Sequence, residues 1–302
     1  MITVTYNSAL YVRDTIESVL AQTYTDIEYI ICDDCSTDRT WDIIREYNDP
    51  RIKAARNEQN LREYVNRNKA IGMATGEYLI FIDGDDVIFP HGIGFFVSMM
   101  ESFPAAGMAI QKNYINNLLF PALLEPAETV RNHFYGEKDL LTSSFASNFF
   151  RTSALKRWNL KTEFISGDEE IRLRIAANYP VLFVAGWVTW PRETPGQASM
   201  KVAGGLGLAE AFKFSHDIFT DTPGLSPELL KDIDLMFKKR LAGQAIQLIK
   251  KGQLSRAKNF LRRAGLKLKD VPAYYRHEPA FTDPLVDYTP SAPLKRGFLN
   301  KI

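Results

Sequence analysis

The sequence predicts an α/β fold: a mostly parallel sheet flanked by helices, followed by a helical C-terminal extension. Three observations predict it. Strand-like and helix-like periodicities alternate through the first 82 residues. Residues 78–82 (Tyr78-Leu79-Ile80-Phe81-Ile82) are almost wholly apolar, as a central strand covered on both faces must be. Acidic residues cluster directly after the strand-like runs, where ligands bind in such sheets.

The elements follow in order. Residues 2–4 read as a short strand, with Asn7 or Ser8 placed to cap a helix whose apolar positions are Val12, Ile16, Val19 and Leu20. Residues 27–32 read as a strand, and Ser36 or Thr37 would cap a helix carrying Trp41, Ile44 and Tyr47. A short strand over 51–56 and a helix over 61–74, closed by Gly76, lead into the apolar run at 78–82. This β-α-β-α-β order implies parallel strands joined by right-handed crossovers. The middle, about 105–205, is mixed: strands over 109–112, 149–151 and 181–185, and a helix over 168–178. From Gly207 the pattern turns helical, with Ser226-Pro227-Glu228 as a helix start. Helices over 235–251 and 254–266 form a pair joined at Gly252, and 271–302 reads as irregular. The expected division is 1–205 and 206–302.

Composition bounds the function. The chain has 302 residues, 45% of them hydrophobic, enough for a sizeable core. Lys+Arg number 37 and Asp+Glu 36, so bulk charge gives no reason to expect nucleic acid as a partner. No apolar run is long enough to span a membrane, and the N-terminus lacks the regions of a signal peptide. The expectation is a cytoplasmic protein, soluble or peripheral at a membrane. Cys32 and Cys35 form a C-x-x-C, but no second pair completes a zinc site and the flanking aspartates disfavour thiolates. The four histidines (His91, His133, His216, His277) are scattered.

Four constellations can carry chemistry. Asp83-Gly84-Asp85, followed by Asp86, places carboxylates at a strand end, where they can hold a hard divalent cation and leave positions open for phosphate oxygens. A solvated acidic turn is the plainer reading of a bare D-x-D. Asp33-Asp34-Cys35-Ser36-Thr37-Asp38 supplies three acids after a buried strand, more than capping needs; an Asp there can accept from a base imide or ribose hydroxyls. Tyr6 offers a ring for a base to stack on, or a packed core aromatic. Asp168, in Ser166-Gly167-Asp168-Glu169-Glu170, is either a favourable charge at a helix start or a general base. Arg67, with Arg62 before it, either solvates a helix face or complements a diphosphate.

Taken in order, these motifs resemble the family-2 glycosyltransferases. The resemblance rests on Thr5-Tyr6-Asn7-Ser8, residues 16–24, residues 33–38, Arg67-Asn68-Lys69-Ala70-Ile71, Ala74-Thr75-Gly76-Glu77-Tyr78, Asp83-Gly84-Asp85-Asp86, residues 167–176 (similar to the family's "ED" helix) and Arg192 through Ser199. It covers about residues 2–200. It implies a GT-A-type, Rossmann-like fold and an inverting transfer from a nucleotide-sugar donor, in all expectation a UDP-sugar, although thymine or guanine stays open as the base. By resemblance, Tyr6 stacks on the base, Asp34 accepts from its imide, and Arg67 lies near base or diphosphate. Asp83 faces the ribose and the metal-side hydroxyls, Asp85 ligates Mg²⁺ or Mn²⁺ with Asp83 nearby, and Asp168 is the catalytic base. Bacterial members build surface polysaccharides, which implies a saccharide or lipid-linked acceptor. Three positions depart from the pattern. Gly167 replaces the glutamate of the "ED" pair, Cys35 stands where glycine is usual, and the first strand begins almost at Met1 without the usual preceding proline. The alternatives are a nucleotidyltransferase, disfavoured because Tyr6-Asn7-Ser8-Ala9 is no Gly-rich phosphate loop, and a non-catalytic sugar-nucleotide binder. The basic C-terminal helices fit an appendage packed on the catalytic part; membrane-surface docking or a homodimer is their functional alternative.

Overall fold

A computed structural model describes residues 1–112, 120–135, 140–141, 143–160, 167–194, 218 and 225–278. Its first strands are β1 (Ile2–Thr5), β2 (Tyr29–Asp33), β3 (Ile52–Arg56) and β4 (Tyr78–Ile80). Between them lie α1 (Val12–Leu20), α2 (Thr40–Arg45) and α3 (Glu63–Met73). Then come β5 (Val87–Ile88), α4 (Gly92–Ser102), β6 (Met108–Gln111), β7 (Ala122–Leu124), α5 (Pro126–Tyr135), β8 (Asn148–Arg151), α6 (Thr152–Leu155), α7 (Gly167–Asn178), β9 (Val181–Val184) and β10 (Thr189–Trp190).

β1, β2 and β3 pair in parallel in that order. β4 lies on the other side of β1: Phe81 bridges Ile2 in the parallel sense, and the amide of Ile82 donates to the Ile2 carbonyl at 2.9 Å. β4 also edges a five-stranded sheet of order β4-β8-β6-β9-β7, in which β6-β9 is parallel and the other pairs are antiparallel. Parallel order therefore holds through the first four strands, and the middle of the chain is mixed, as its sequence suggests. Both faces are covered. Along β2 the alternate residues Ile30 and Cys32 join one apolar cluster and Tyr29 and Ile31 the other; Leu79 and Phe81 divide from Ile80 and Ile82 in the same way. That two-sided burial is why residues 78–82 carry no polar face.

Helix starts are where the structure departs from expectation. Neither Asn7 nor Ser8 caps α1, which begins at Val12 with no side-chain cap. Ser36 and Thr37 do not cap α2; the Asp38 carboxylate instead accepts from the Thr40 amide at 2.9 Å. In each case the expected capping side chain is engaged by a partner about 30 residues away or by the strand end before it. α3 begins two residues late, because Arg62 has a left-handed φ of 68°.

The C-terminal part contains α8 (Pro227–Lys250), α9 (Leu254–Arg263) and α10 (Val271–Tyr275). Ser226 caps α8, accepting from the Leu229 amide at 3.2 Å, with Pro227 in the first turn. The helix expected over 235–251 is thus the last two thirds of one 24-residue helix. Its first half places Leu229, Ile233 and Phe237 in the main core; its second half packs Leu241, Ala242 and Ala245 with Phe260, Leu261 and Val271 in a separate cluster. Gly252, with φ of 72°, reverses the chain between α8 and α9, as a residue without Cβ can at little cost. The segment expected to be irregular from 271 opens with the short α10, and residues 279–302 and the division at 205/206 lie outside the described residues. Among the described residues no helix is long and apolar enough to cross a membrane.

Because Phe237 belongs to the main core, Phe237→Ala should cost about 3–5 kcal/mol of global stability. All four tryptophans lie between Trp41 and Trp190, so denaturant unfolding followed by their fluorescence reads the part of the chain before the C-terminal helices. An unchanged midpoint would show that α8 is an appendage to that core.

Candidate active site at the carboxyl ends of the strands

Register brings three strand ends together. Thr5 pairs with Asp33, the Asp34 amide donates to the Thr5 carbonyl at 2.8 Å, and the Gly84 amide donates to the Val4 carbonyl at 3.2 Å. The carboxyl ends of β1, β2 and the β4 run therefore deliver Tyr6, Asp34 and Asp83-Gly84-Asp85 to one edge. Gly84 is dictated by close approach: a Cβ there would lie 2.7 Å from Thr5 Oγ1 and 2.9 Å from Thr5 Cβ.

The loop after β1 is stitched to the loop after β2. The Asn7 amide donates to Ser36 Oγ at 2.9 Å, and Asn7 Oδ1 accepts from the Thr37 amide at 2.8 Å. The Ser8 amide donates to Thr40 Oγ1 at 2.8 Å and the Ala9 amide to Asp38 Oδ2 at 3.1 Å. Asn7 adopts a left-handed φ of 53°, which its residue type tolerates. The chain therefore turns sharply just past Tyr6, whose ring is 49% exposed. Tyr6 is not a core aromatic. Cys35 also has a left-handed φ, 62°, so this loop takes the backbone shape that glycine favours although it carries a side chain.

The two aspartates after β2 divide their tasks. Asp33 is fully buried; it accepts from the Ser36 amide and hydroxyl and stands 3.3 Å from Arg56 Nε, while burial pushes its carboxyl above the ordinary range. It is structural. Asp34 turns toward the 57–62 segment: Oδ1 accepts from Asn57 Nδ2 and the Leu61 amide, both at 2.8 Å, and Oδ2 from the Arg62 amide at 2.9 Å. A carboxylate has about four acceptor positions, so these three donors leave Asp34 room for one more.

Arg67 does not reach out from the α3 surface. It is 3% exposed, its Nη2 donates to Asp83 Oδ2 at 2.8 Å, and Nη1 stands 2.8 Å from Oδ1. Its guanidinium lies 4.6 Å from the Phe145 ring centroid and 5.2 Å from that of Phe81, with Glu63 at 3.2 Å as a second carboxylate. Burial alone would favour losing the proton; the charges of Asp83 and Glu63 outweigh it and raise the guanidinium's affinity for that proton. Arg67 holds Asp83 in place.

Residues absent from the sequence-based site complete this edge. Thr194 donates to Asp85 Oδ2 at 2.7 Å, and the Arg192 amide donates to Asp86 Oδ1 at 3.1 Å. β10, antiparallel to β5, brings them there. Asp86 is buried, and burial together with the charges of Asp83 and Asp85 pushes its carboxyl up to about 7. Its only sequence signal was its place after the D-x-D. Residues 195–199 of the matched Arg192–Ser199 stretch lie outside the described residues.

Asp168 sits in the first turn of α7 and accepts from Arg172 Nη1 at 3.0 Å; Arg172 itself is buried. The preceding Gly167 is packed on α3: a Cβ there would lie 2.9–3.1 Å from three atoms of the Tyr64 ring. Burial and the negative charges of Glu63 and Asp168 push the Tyr64 phenol up. A glutamate at 167 would collide with that ring.

Three carboxylates, Asp83, Asp85 and Asp86, stand within four residues, and Arg67 pairs with the first of them; oxygen donors of this kind suit a hard divalent cation. Among the described residues no three His, Cys, Asp or Glu side chains converge to enclose an ion, so an ion here would need oxygens from a ligand or water. Cys32 and Cys35 are free thiols; burial pushes the Cys32 thiol up to about 11, contrary to redox or metal use.

For Asp86 the folded carboxyl titrates above its unfolded value near 4, so ionisation costs folding stability. That cost is absent below about pH 4, grows as pH rises and levels off above about pH 7. Asp86→Asn should therefore raise the melting temperature of chelator-treated protein by an amount that increases from pH 4 to pH 7. A gain independent of pH would show that Asp86 is not the strained group.

Residues 1–167, more than half of the chain, match the description glycosyl transferase family 2. Over 114 residues the chain is 39% identical to UDP-Glc:alpha-D-GlcNAc-diphosphoundecaprenol beta-1,3-glucosyltransferase WfaP of Escherichia coli, a match covering 36% of this chain and 45% of that protein. Over 88 residues it is 47% identical to the putative teichuronic acid biosynthesis glycosyltransferase TuaG of Bacillus subtilis (strain 168), covering 28% and 35%. The chain thus matches less than half the length of these curated relatives. In fold it is similar to S. aureus TarS 1-349 in complex with UDP-GlcNAc, with a TM-score of 0.68 at 18% identity over 91% of this chain and 85% of that one. The match over residues 1–167, carrying the ordered motifs from Tyr6 to Asp85, shows that this chain belongs to glycosyl transferase family 2.

Proposed function

We propose that this protein is an inverting glycosyltransferase that moves a sugar from a UDP-sugar to a hydroxyl of a saccharide or lipid-linked acceptor in surface polysaccharide synthesis. The observation that carries this reading is the convergence of an exposed aromatic ring at Tyr6, an acceptor position at Asp34 and the carboxylates of Asp83 and Asp85 on one edge. A base, a ribose and a diphosphate need those three chemistries side by side. The glucosyltransferase activity in WfaP's name and the UDP-GlcNAc bound to TarS agree with this reading.

Tyr6 stacks on the base and Asp34 accepts its imide proton. Asp83, held by Arg67, faces the ribose; Arg67 serves through Asp83 rather than by touching the diphosphate. Asp85, with Asp83 nearby, would hold Mg²⁺ or Mn²⁺, and such an ion when bound offsets the charge that grows on the diphosphate leaving group. A mannosyltransferase of similar fold, PcManGT from Pyrobaculum calidifontis, is described in complex with GDP-Man and Mn2+ (TM-score 0.60, 17% identity). Asp168, oriented by Arg172, takes the proton from the attacking acceptor hydroxyl as that oxygen bonds to the anomeric carbon and the bond to the diphosphate breaks. A lipid-linked acceptor places the protein in the cytoplasm, peripheral at the inner face of the membrane.

Two measurements test the reading. Calorimetric titration with UDP should give metal-dependent binding that is lost in Asp85→Ala; binding that ignores both metal and Asp85 would remove the metal assignment. Asp168→Asn should reduce turnover roughly 10²–10⁴-fold while leaving UDP affinity within about twofold. Full activity in that variant would sink the base assignment.

A further inference from the structure

Charge along this chain is sharply segregated. Residues 238–269 contain eleven Lys and Arg and no Asp or Glu. The whole chain carries 37 against 36, which leaves 26 basic against 36 acidic residues everywhere else. A merely solvated helix face intersperses acids with bases to form i,i+4 pairs; this stretch contains no acid of its own, and Lys238 reaches back to Asp234 for its pair. The basic side chains are displayed outward: Lys250, Lys251, Arg256, Lys258, Arg262 and Lys267 are all exposed, and Arg256 and Arg262 donate to the neutral Gln253 and Asn259.

The turn between α8 and α9 adds a second feature. Ile249 and Leu254, 37% and 45% exposed, flank Lys250-Lys251-Gly252-Gln253 at the tip. The hairpin's own packing does not need them: its cluster is closed by Leu241, Ala242, Ala245, Phe260, Leu261 and Val271. An apolar pair at the tip of a polybasic hairpin suits an interface that is anionic at its surface and apolar a few ångströms below. A nucleic acid offers the charge but no bed for Ile249 and Leu254.

We propose that the α8–α9 hairpin docks on an anionic phospholipid surface, with Ile249 and Leu254 entering the headgroup boundary and the surrounding lysines and arginines meeting lipid phosphates. The hairpin hangs from the main core through the first half of α8, so docking would tether the catalytic domain to the bilayer. This does not rest on the sugar-transfer reading, since vesicle binding and UDP binding are separate measurements.

The test is co-sedimentation of the full chain with phosphatidylcholine vesicles, alone or with about one third phosphatidylglycerol. Adsorption is expected only on the anionic vesicles, with loss at about 0.5 M NaCl. With about fivefold in partitioning per basic residue near the surface, Lys250→Glu/Lys251→Glu/Lys258→Glu should weaken it roughly 100-fold. Ile249→Ser/Leu254→Ser should weaken it as well. Unchanged UDP binding and melting temperature would show that these variants fold. Failure to adsorb, equal adsorption to neutral vesicles or indifference to the charge reversal would overturn the proposal. So would tighter retention by duplex DNA than by vesicles, or salt-sensitive self-association without vesicle binding.

Discussion

The pairing of buried Arg67 with Asp83 is the constraint on which the rest of the site depends. A guanidinium 3% exposed between Phe81 and Phe145 can stay in the core only if its charge is met, and Asp83 meets it with both oxygens. Such a pair is weak evidence for stability, because desolvation consumes most of the attraction. Its value is positional. The pair bridges α3 to the loop after β4, so the two are held in one relative placement. Asp83 thereby gains a fixed direction, while Asp85, two residues on, takes its own from Thr194. A carboxylate meant to face a ligand is more useful when its rotamer is set before the ligand arrives.

The same logic runs through the loops. Backbone amides of Asn7, Ser8 and Ala9 find side-chain acceptors in the 36–40 segment, and Asp34 gathers amides from Leu61 and Arg62. Polar side chains at the strand ends thus satisfy backbone donors that no sheet or helix pairs, and in doing so they leave Tyr6 facing outward. Opposing this order is the concentration of charge at 83–86. Asp86 is buried beside two other carboxylates, which raises its carboxyl to about 7. The fold tolerates a locally unfavourable cluster at the point where a cation would relieve it.

Much of this was legible in the sequence. The apolar run at 78–82 announced a two-sided strand, and the acids after each strand announced the edge. What sequence could not supply was the partner of each polar side chain. Asn7, Ser8, Ser36 and Thr37 have the right chemistry for helix caps, but partners about 30 residues away in sequence or at the preceding strand end engage them first. Arg67 has the right chemistry for a diphosphate, yet two phenylalanines and Asp83 enclose it. Thr194 and Asp86 stood within recognised motifs, but that they meet the acidic edge together comes from β10 folding back beside β5. The helix at 227–250 was readable at its capped start, but not its passage from one apolar cluster into another.

Gly167 shows how a departure from a family pattern can be a packing solution. Where the resemblance expects a glutamate before Asp168, the Tyr64 ring fills the space a Cβ would need. Tyr64 lies on the same helix as Arg67, one residue from Glu63, so the ring that excludes a side chain at 167 belongs to the element that anchors Asp83. The start of α7 can then approach α3 closely, which sets Asp168 beside that helix. Its orientation comes from Arg172, one turn later on α7 and itself buried. One carboxylate of the pair is absent, and the one that remains, proposed above as the base, takes its direction from the Arg172 ion pair and its place from the packing of its neighbour Gly167 on Tyr64.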